Sequence, residues 1–150
     1  MAALPRPGGH APLGWLIVMD DSPAVALVRQ GYEAFAARDV PTLVELLDEN
    51  VVWHNPGNNL LSGEFSGRDE VLSMFARNLQ LTQGTGSFQI HDVLASDRHV
   101  VSLLQARVSR PDAGKHLDVK EMHVFHISRG KIREVWVFSE DQRLNDQFWS

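Results

Sequence analysis

Cysteine is absent from the chain. That excludes a disulfide framework, a thiolate metal site and a cysteine nucleophile, and it fits a reducing cytoplasm. Positive charge is scarce: 14 Lys and Arg stand against 19 Asp and Glu, a formal net charge of −5 with the seven His neutral. A nucleic-acid binder needs a basic stripe, so that class is set aside. No Gly-rich phosphate loop, dinucleotide fingerprint or serine elbow is present, and no cofactor is implied. The apolar run Leu13–Met19 falls far short of the about 20 residues that cross a bilayer. With Arg6 as the one charge ahead of it and no small-x-small cleavage site, it also makes a poor secretory signal.

What is present suffices for one domain with a real core: 150 residues, 43% of them apolar. Residues 1–21 read as an N-terminal arm, kept irregular by Pro5, Pro7, Gly8, Gly9 and Pro12. Met19 is an alternative start. Residues 22–150 read as the folded domain. Ser22-Pro23 places an N-cap before a proline at the first helical position, and Val25, Val28, Tyr32 and Phe35 follow on one helical face. Asp39 caps a second, short helix carrying Leu43, Leu46 and Leu47. Val51–His54 is β-rich and Asn55-Pro56-Gly57 breaks it. Residues 57–66 read as a loop with room for a short strand. Ser66-Gly67-Arg68-Asp69-Glu70 opens a third helix with its acids in the favourable first turn. The remainder reads as consecutive strands, Ser87–Ala95, His99–Arg110, His116–Ser128 and Lys131–Ser139, separated by turns. Three helices followed by long hairpins is an α+β pattern with a curved antiparallel sheet.

Tyr32-Glu33-Ala34-Phe35 with Arg38-Asp39, Leu46–Trp53, Ser66–Val71, and Val124-Phe125-His126 with Gly130-Lys131-Ile132 occur in the order of a known fold. The chain from about Ser22 to Ser150 resembles the nuclear transport factor 2 fold, the cone shared by ketosteroid isomerase and the SnoaL-like polyketide cyclases. The resemblance implies three N-terminal helices closing one face of the sheet over an apolar pocket. Such a pocket disfavours a charged carboxylate and raises its pKa, preparing it for proton transfer at neutral pH.

Three positions follow from the resemblance. The general-base aspartate of the isomerases falls on Asn55, which orients a carbonyl or a water but takes no proton. Glu121 falls near their oxyanion acid, and alternation puts it on one face with Val119, His123 and Phe125. The cyclases carry an aspartate shortly after the tryptophan of the last strand; here Trp136 is followed by Glu140 and Asp141, and the spacing admits either acid. Plainer roles stand beside these: a cross-strand ion pair for Glu121, a surface acid for Asp141. Alternation sets Trp53 and Asn55 together and His54 opposite, where a structural hydrogen bond is its ordinary role. Tyr32 has two readings, a core residue with a satisfied tip and a donor to an oxyanion. His123 and His126, three apart on a strand, cannot share a metal; a site would need His54, His91, His123 and an acid to converge.

The expectation is a small cofactor-independent enzyme of cyclase, isomerase or hydratase type acting on an apolar small molecule. Glu121 or Asp141 would be the acid or base, and Tyr32, Trp53, Asn55, His123 and Trp136 the substrate-binding residues. The alternative is a noncatalytic cone that binds a hydrophobic ligand or mainly dimerises. The apolar residues Val100, Leu103, Leu104, Val124 and Trp136 on the long strands predict a homodimer through the outer face of the sheet, the pairing that the resemblance implies. Phe148-Trp149 is left as cover for a sheet edge, the pocket mouth or the partner.

Overall fold

The computed structural model describes residues 22–150; the predicted arm at 1–21 lies outside the described residues. Helix α1 (Pro23–Ala37) begins where Ser22 Oγ accepts from the amides of Ala24 and Val25, and stops at Arg38 in the left-handed conformation. Asp39 caps α2 (Val40–Leu46). The chain then runs directly into β1 (Leu47–Asn55), β2 (Gly63–Ser66), α3 (Arg68–Thr82), β3 (Ser87–Ala95), β4 (His99–Arg110), β5 (Lys115–Ser128), β6 (Lys131–Ser139) and α4 (Gln142–Trp149). One 3-10 turn, Pro111–Ala113, joins β4 to β5.

The six strands form one curved sheet in the order β2-β1-β6-β5-β4-β3. It is mixed: β1 runs parallel to β6 and every other pair is antiparallel. The expected all-antiparallel sheet is corrected on this point. Strand β1 enters from the helical layer and inserts beside the last strand, a pairing that local patterning does not encode. The register slips in β3 between Ile90 and Asp92, and in β6 between Ile132 and Glu134. An extra residue of this kind bends a strand and steepens its twist, which curves the sheet around the helices.

The main core lies between the concave face and α1–α3, with Val25, Val28, Val51, Val71, Val100, Phe125 and Val135 among its buried members. A second cluster joins Ala106, Leu117 and Val119 to Phe148 of α4. The C-terminal segment is therefore a docked helix, which leaves Trp149 on a cavity wall. Among the described residues no helix is long and apolar enough to cross a membrane.

Candidate active site

Between the helices and the concave face lies a cavity of about 170 Å³, comparable with the roughly 150 Å³ that holds a benzene ring in a protein core. Most of its wall is apolar and aromatic, including Phe35, Trp53, Phe75, Phe88 and Trp149. The ring edges and faces interlock: Trp53 meets Phe75 edge-on at 4.9 Å, and Phe35 meets Phe75 at 5.2 Å.

One polar constellation breaks this wall. Period-two alternation brings Glu121 and His123 of β5 to the concave face, and antiparallel pairing sets Ser102 of β4 directly opposite His123. Tyr32 reaches down from α1. Its hydroxyl contacts Ser102 Oγ and lies 2.7 Å from His123 Nδ1. His123 Nε2 lies 3.1 Å from Glu121 Oε1. Asn145 of α4 donates through Nδ2 to Glu121 Oε2 at 3.3 Å, and the Ser139 hydroxyl donates to Asn145 Oδ1 at 3.1 Å. The Glu121 and His123 side chains are 10% and 6% exposed and Ser102 is fully buried, so these partners substitute for water.

With Glu121 as a carboxylate and His123 as a neutral imidazole, the donor inventory gives the chain one direction. Asn145 Nδ2 can only donate, so Glu121 Oε2 accepts. A carboxylate at Oε1 requires His123 Nε2 to carry its proton. A neutral imidazole then presents Nδ1 as an acceptor, which the Tyr32 hydroxyl proton fills, and Ser102 donates to the Tyr32 oxygen. Every proton from Ser102 through Tyr32 to His123 points toward Glu121. Both imidazole nitrogens are thereby occupied, whereas Glu121 keeps spare lone pairs on the cavity wall. Burial pushes the Tyr32 phenol far above its ordinary value of 10.0; the Ser102 hydroxyl offsets part of this and the negative charge of Glu121 adds to it. Tyr32 thus stays protonated. In this arrangement its one proton goes to His123, and the geometry favours the reading of Tyr32 as a buried residue with a satisfied tip.

The other expected residues separate. Trp53 and Asn55 both line the cavity, but Asn55 is tied at both ends. Its Oδ1 accepts from Trp53 Nε1 at 3.0 Å and its Nδ2 donates to the Leu61 carbonyl at 2.9 Å. Asp141 is corrected: it does not border the cavity. Its carboxylate accepts from the Leu144 amide as the N-cap of α4, and the neighbouring Glu140 accepts from the Lys120 amide. Trp136 is corrected as well. Arg133 falls at the slip in β6, which turns Trp136 to the convex face, stacked 5.5 Å from His54. His54 bonds Glu134 at 2.6 Å on that face. His54 and His123 therefore lie on opposite sides of the sheet, and among the described residues no three His, Asp or Glu converge as a metal site.

Ser102 and Asn145 had not been singled out. Ser102 carries a readable signal, a small hydroxyl at an inward position between Val100 and Leu104. Asn145 is reached only through the helix start at Asp141, which does not by itself aim it at Glu121. Beside the lining residues Asn59 and Gln142, Asp146 accepts from Asn59 Nδ2 and Gln142 Nε2, which lowers its pKa. Gly57 (φ +84°) lies against the same two α4 side chains, where a Cβ would collide.

A SnoaL-like domain model matches residues 28–135. An uncharacterized protein of Mycobacterium tuberculosis is 31% identical over 133 residues, 88% of this chain and all of that one. Bal32a, from a soil-derived mobile gene cassette, is a solved structure 34% identical to this chain; the alignment covers 85% of this chain and 97% of Bal32a at a TM-score of 0.82. An NTF2-like protein of Burkholderia pseudomallei is 25% identical over 87% of this chain and 99% of its own, at a TM-score of 0.76. The matched domain contains Tyr32, Ser102, Glu121 and His123 and ends before Asn145.

Proposed function

The chain belongs to the SnoaL-like domain family, and from that footing we propose that it is a small cofactor-independent enzyme performing acid–base chemistry on an apolar small molecule, of cyclase, isomerase or hydratase type. The observation that carries this reading is Glu121. It is a nearly buried carboxylate on the wall of an apolar cavity, fixed by His123 on one oxygen and Asn145 on the other. Glu121 accepts a proton from the substrate and returns it to a different atom or to the product. His123 is a positioning residue: it holds the carboxylate in one orientation and stabilises its charge through Nε2–H. Tyr32 and Ser102 fix the imidazole tautomer. Trp53 and the surrounding aromatic rings exclude water and orient the apolar body of the substrate. The cysteine-free composition supports a reducing compartment such as the cytoplasm.

The test is a turnover screen with small apolar ketones, polyketides and epoxides. It compares the natural chain with Glu121→Gln and with Asp141→Asn, whose new side chain still caps α4. Loss of a positioned general acid–base should lower turnover by about 100-fold or more in Glu121→Gln, and Asp141→Asn should match the natural chain. Equal turnover in all three removes Glu121 from the mechanism.

A second reading, a noncatalytic cone that binds a hydrophobic ligand, is favoured by Asn55. The position that resembles the isomerase base holds an amide whose hydrogen bonds serve Trp53 and the Leu61 carbonyl. Saturable binding without turnover across the screen would select it.

A further inference from the structure

Charge in the cavity is one-sided. Among the described residues some thirty line it, Glu121 is the one acid, and no Lys or Arg reaches the wall. The hydrogen-bond sense at the inner end leans toward acceptors. His123 has no free nitrogen. The one Tyr32 proton is directed at His123. What remains open there is acceptor capacity on the two Glu121 oxygens and the Tyr32 oxygen, beside the second N–H of Asn145. Across the cavity the Asn78 side chain lines the wall and makes no hydrogen bond among the described residues.

We infer that this cavity takes a neutral or cationic ring-sized molecule that presents an O–H or N–H donor to Glu121, and that it rejects carboxylates and other anions of the same shape. The inference rests on the reading of this cavity as a substrate site and narrows its ligand class. A donor group on the ligand fills the spare lone pairs of Glu121, and the ring lies against the aromatic walls. The unpartnered Asn78 amide then serves a second polar group. An anion in the same place would meet a like charge in an apolar space, with no guanidinium or ammonium among the described wall residues to offset it.

Three single-ring probes with a common skeleton test this: p-cresol, 4-methylbenzylamine and p-toluate. Binding to the full chain at neutral pH is read by calorimetry and by the fluorescence of Trp53 and Trp149, which line the cavity. The cresol and the amine should bind at least about tenfold more tightly than the toluate, since like charges a few ångströms apart repel by more than one decade of affinity at an effective protein dielectric. In Glu121→Gln the gap between cresol and toluate should close. The ranking on the natural chain stands as a test without the variant. Toluate binding equal to or tighter than cresol overturns the charge inference while leaving turnover through Glu121 to its own screen. No binding of any probe overturns both.

Discussion

Tyr32 is the one tyrosine in the chain, so its ionisation can be followed without assignment. Burial, reinforced by the charge of Glu121, raises its pKa well above the ordinary 10.0. The stability consequence has a definite sign. Below about pH 10 the phenol is protonated in both the folded and the unfolded chain, and its contribution is fully present. As pH rises through 10 the unfolded chain gives up the proton and the folded chain keeps it, so the unfolded state gains. The loss grows toward a slope of about 1.4 kcal/mol per pH unit. One unit above the ordinary value, near pH 11, this amounts to about 1.4 kcal/mol, out of the roughly 5–15 kcal/mol that holds a domain together. Two measurements check it. The near-ultraviolet absorbance of the phenolate should appear near the ordinary pKa in guanidinium, and only at distinctly higher pH in the folded chain. Urea unfolding at about pH 9 and about pH 11 should show the natural chain losing about 1.4 kcal/mol more than Tyr32→Phe, which retains every other titrating group. A phenolate that appears at the same pH in folded and denatured chains refutes the buried network.

The network should also act as one unit. Tyr32→Phe leaves the Ser102 hydroxyl and His123 Nδ1 without their partner and should cost about 2–4 kcal/mol in urea unfolding, with Ser102→Ala costing about 1. The double variant should fall short of the sum by about 1 kcal/mol, and strict additivity would show that the two hydroxyls are independent. On the convex face Leu103 and Phe138 stand 37% and 47% exposed, and a second copy of the chain is expected to cover them. Light scattering at micromolar concentration should give the dimer mass, and a monomer mass rejects it.

Much of the cavity was legible because strand alternation is a strict rule where a strand is regular. Strand β5 pairs with β4 without a slip from Lys115 to His126, so Glu121, His123 and Phe125 land together as the period of two requires. The same rule kept His54 away from Trp53. Trp136 came into the site from the resemblance, and at this residue the rule would mislead for an identifiable reason. Counting from the inward Ile132, alternation turns Trp136 inward, but the slip at Arg133 inverts the parity, so that Val135 is buried and Trp136 faces out. Nothing in the residues around Arg133 marks a bulge. Asp141 illustrates a different failure. Asp141-Gln142-Arg143-Leu144 carries a readable helix start, yet the acid was weighed by its distance from Trp136. Its partner, the Leu144 amide, shows that the local rule was the stronger guide. The parallel pairing of β1 with β6 is nonlocal and has no local signature.

The unforeseen helix explains how distant parts of the chain make one site. Asn145 supplies the second hydrogen bond to Glu121, and α4 has eight residues, too few to be stable alone in water. It is held from both ends. Asp141 caps its first turn. Arg110 Nη1 donates to the carbonyls of Phe148 and Ser150 at 2.7 and 2.8 Å, and Lys115 Nζ donates to the Gln147 carbonyl at 2.9 Å. These cations sit where the helix dipole and its unsatisfied carbonyls favour them. Both flank the turn joining β4 to β5, the two strands that carry Ser102, Glu121 and His123. The hairpin that presents the carboxylate thus also anchors the helix that completes its coordination. Undocking α4 would remove Asn145 from Glu121, take Trp149 off the cavity wall and unbury Phe148 in one step. The orientation of the carboxylate and the closure of the cavity therefore rest on the same contacts.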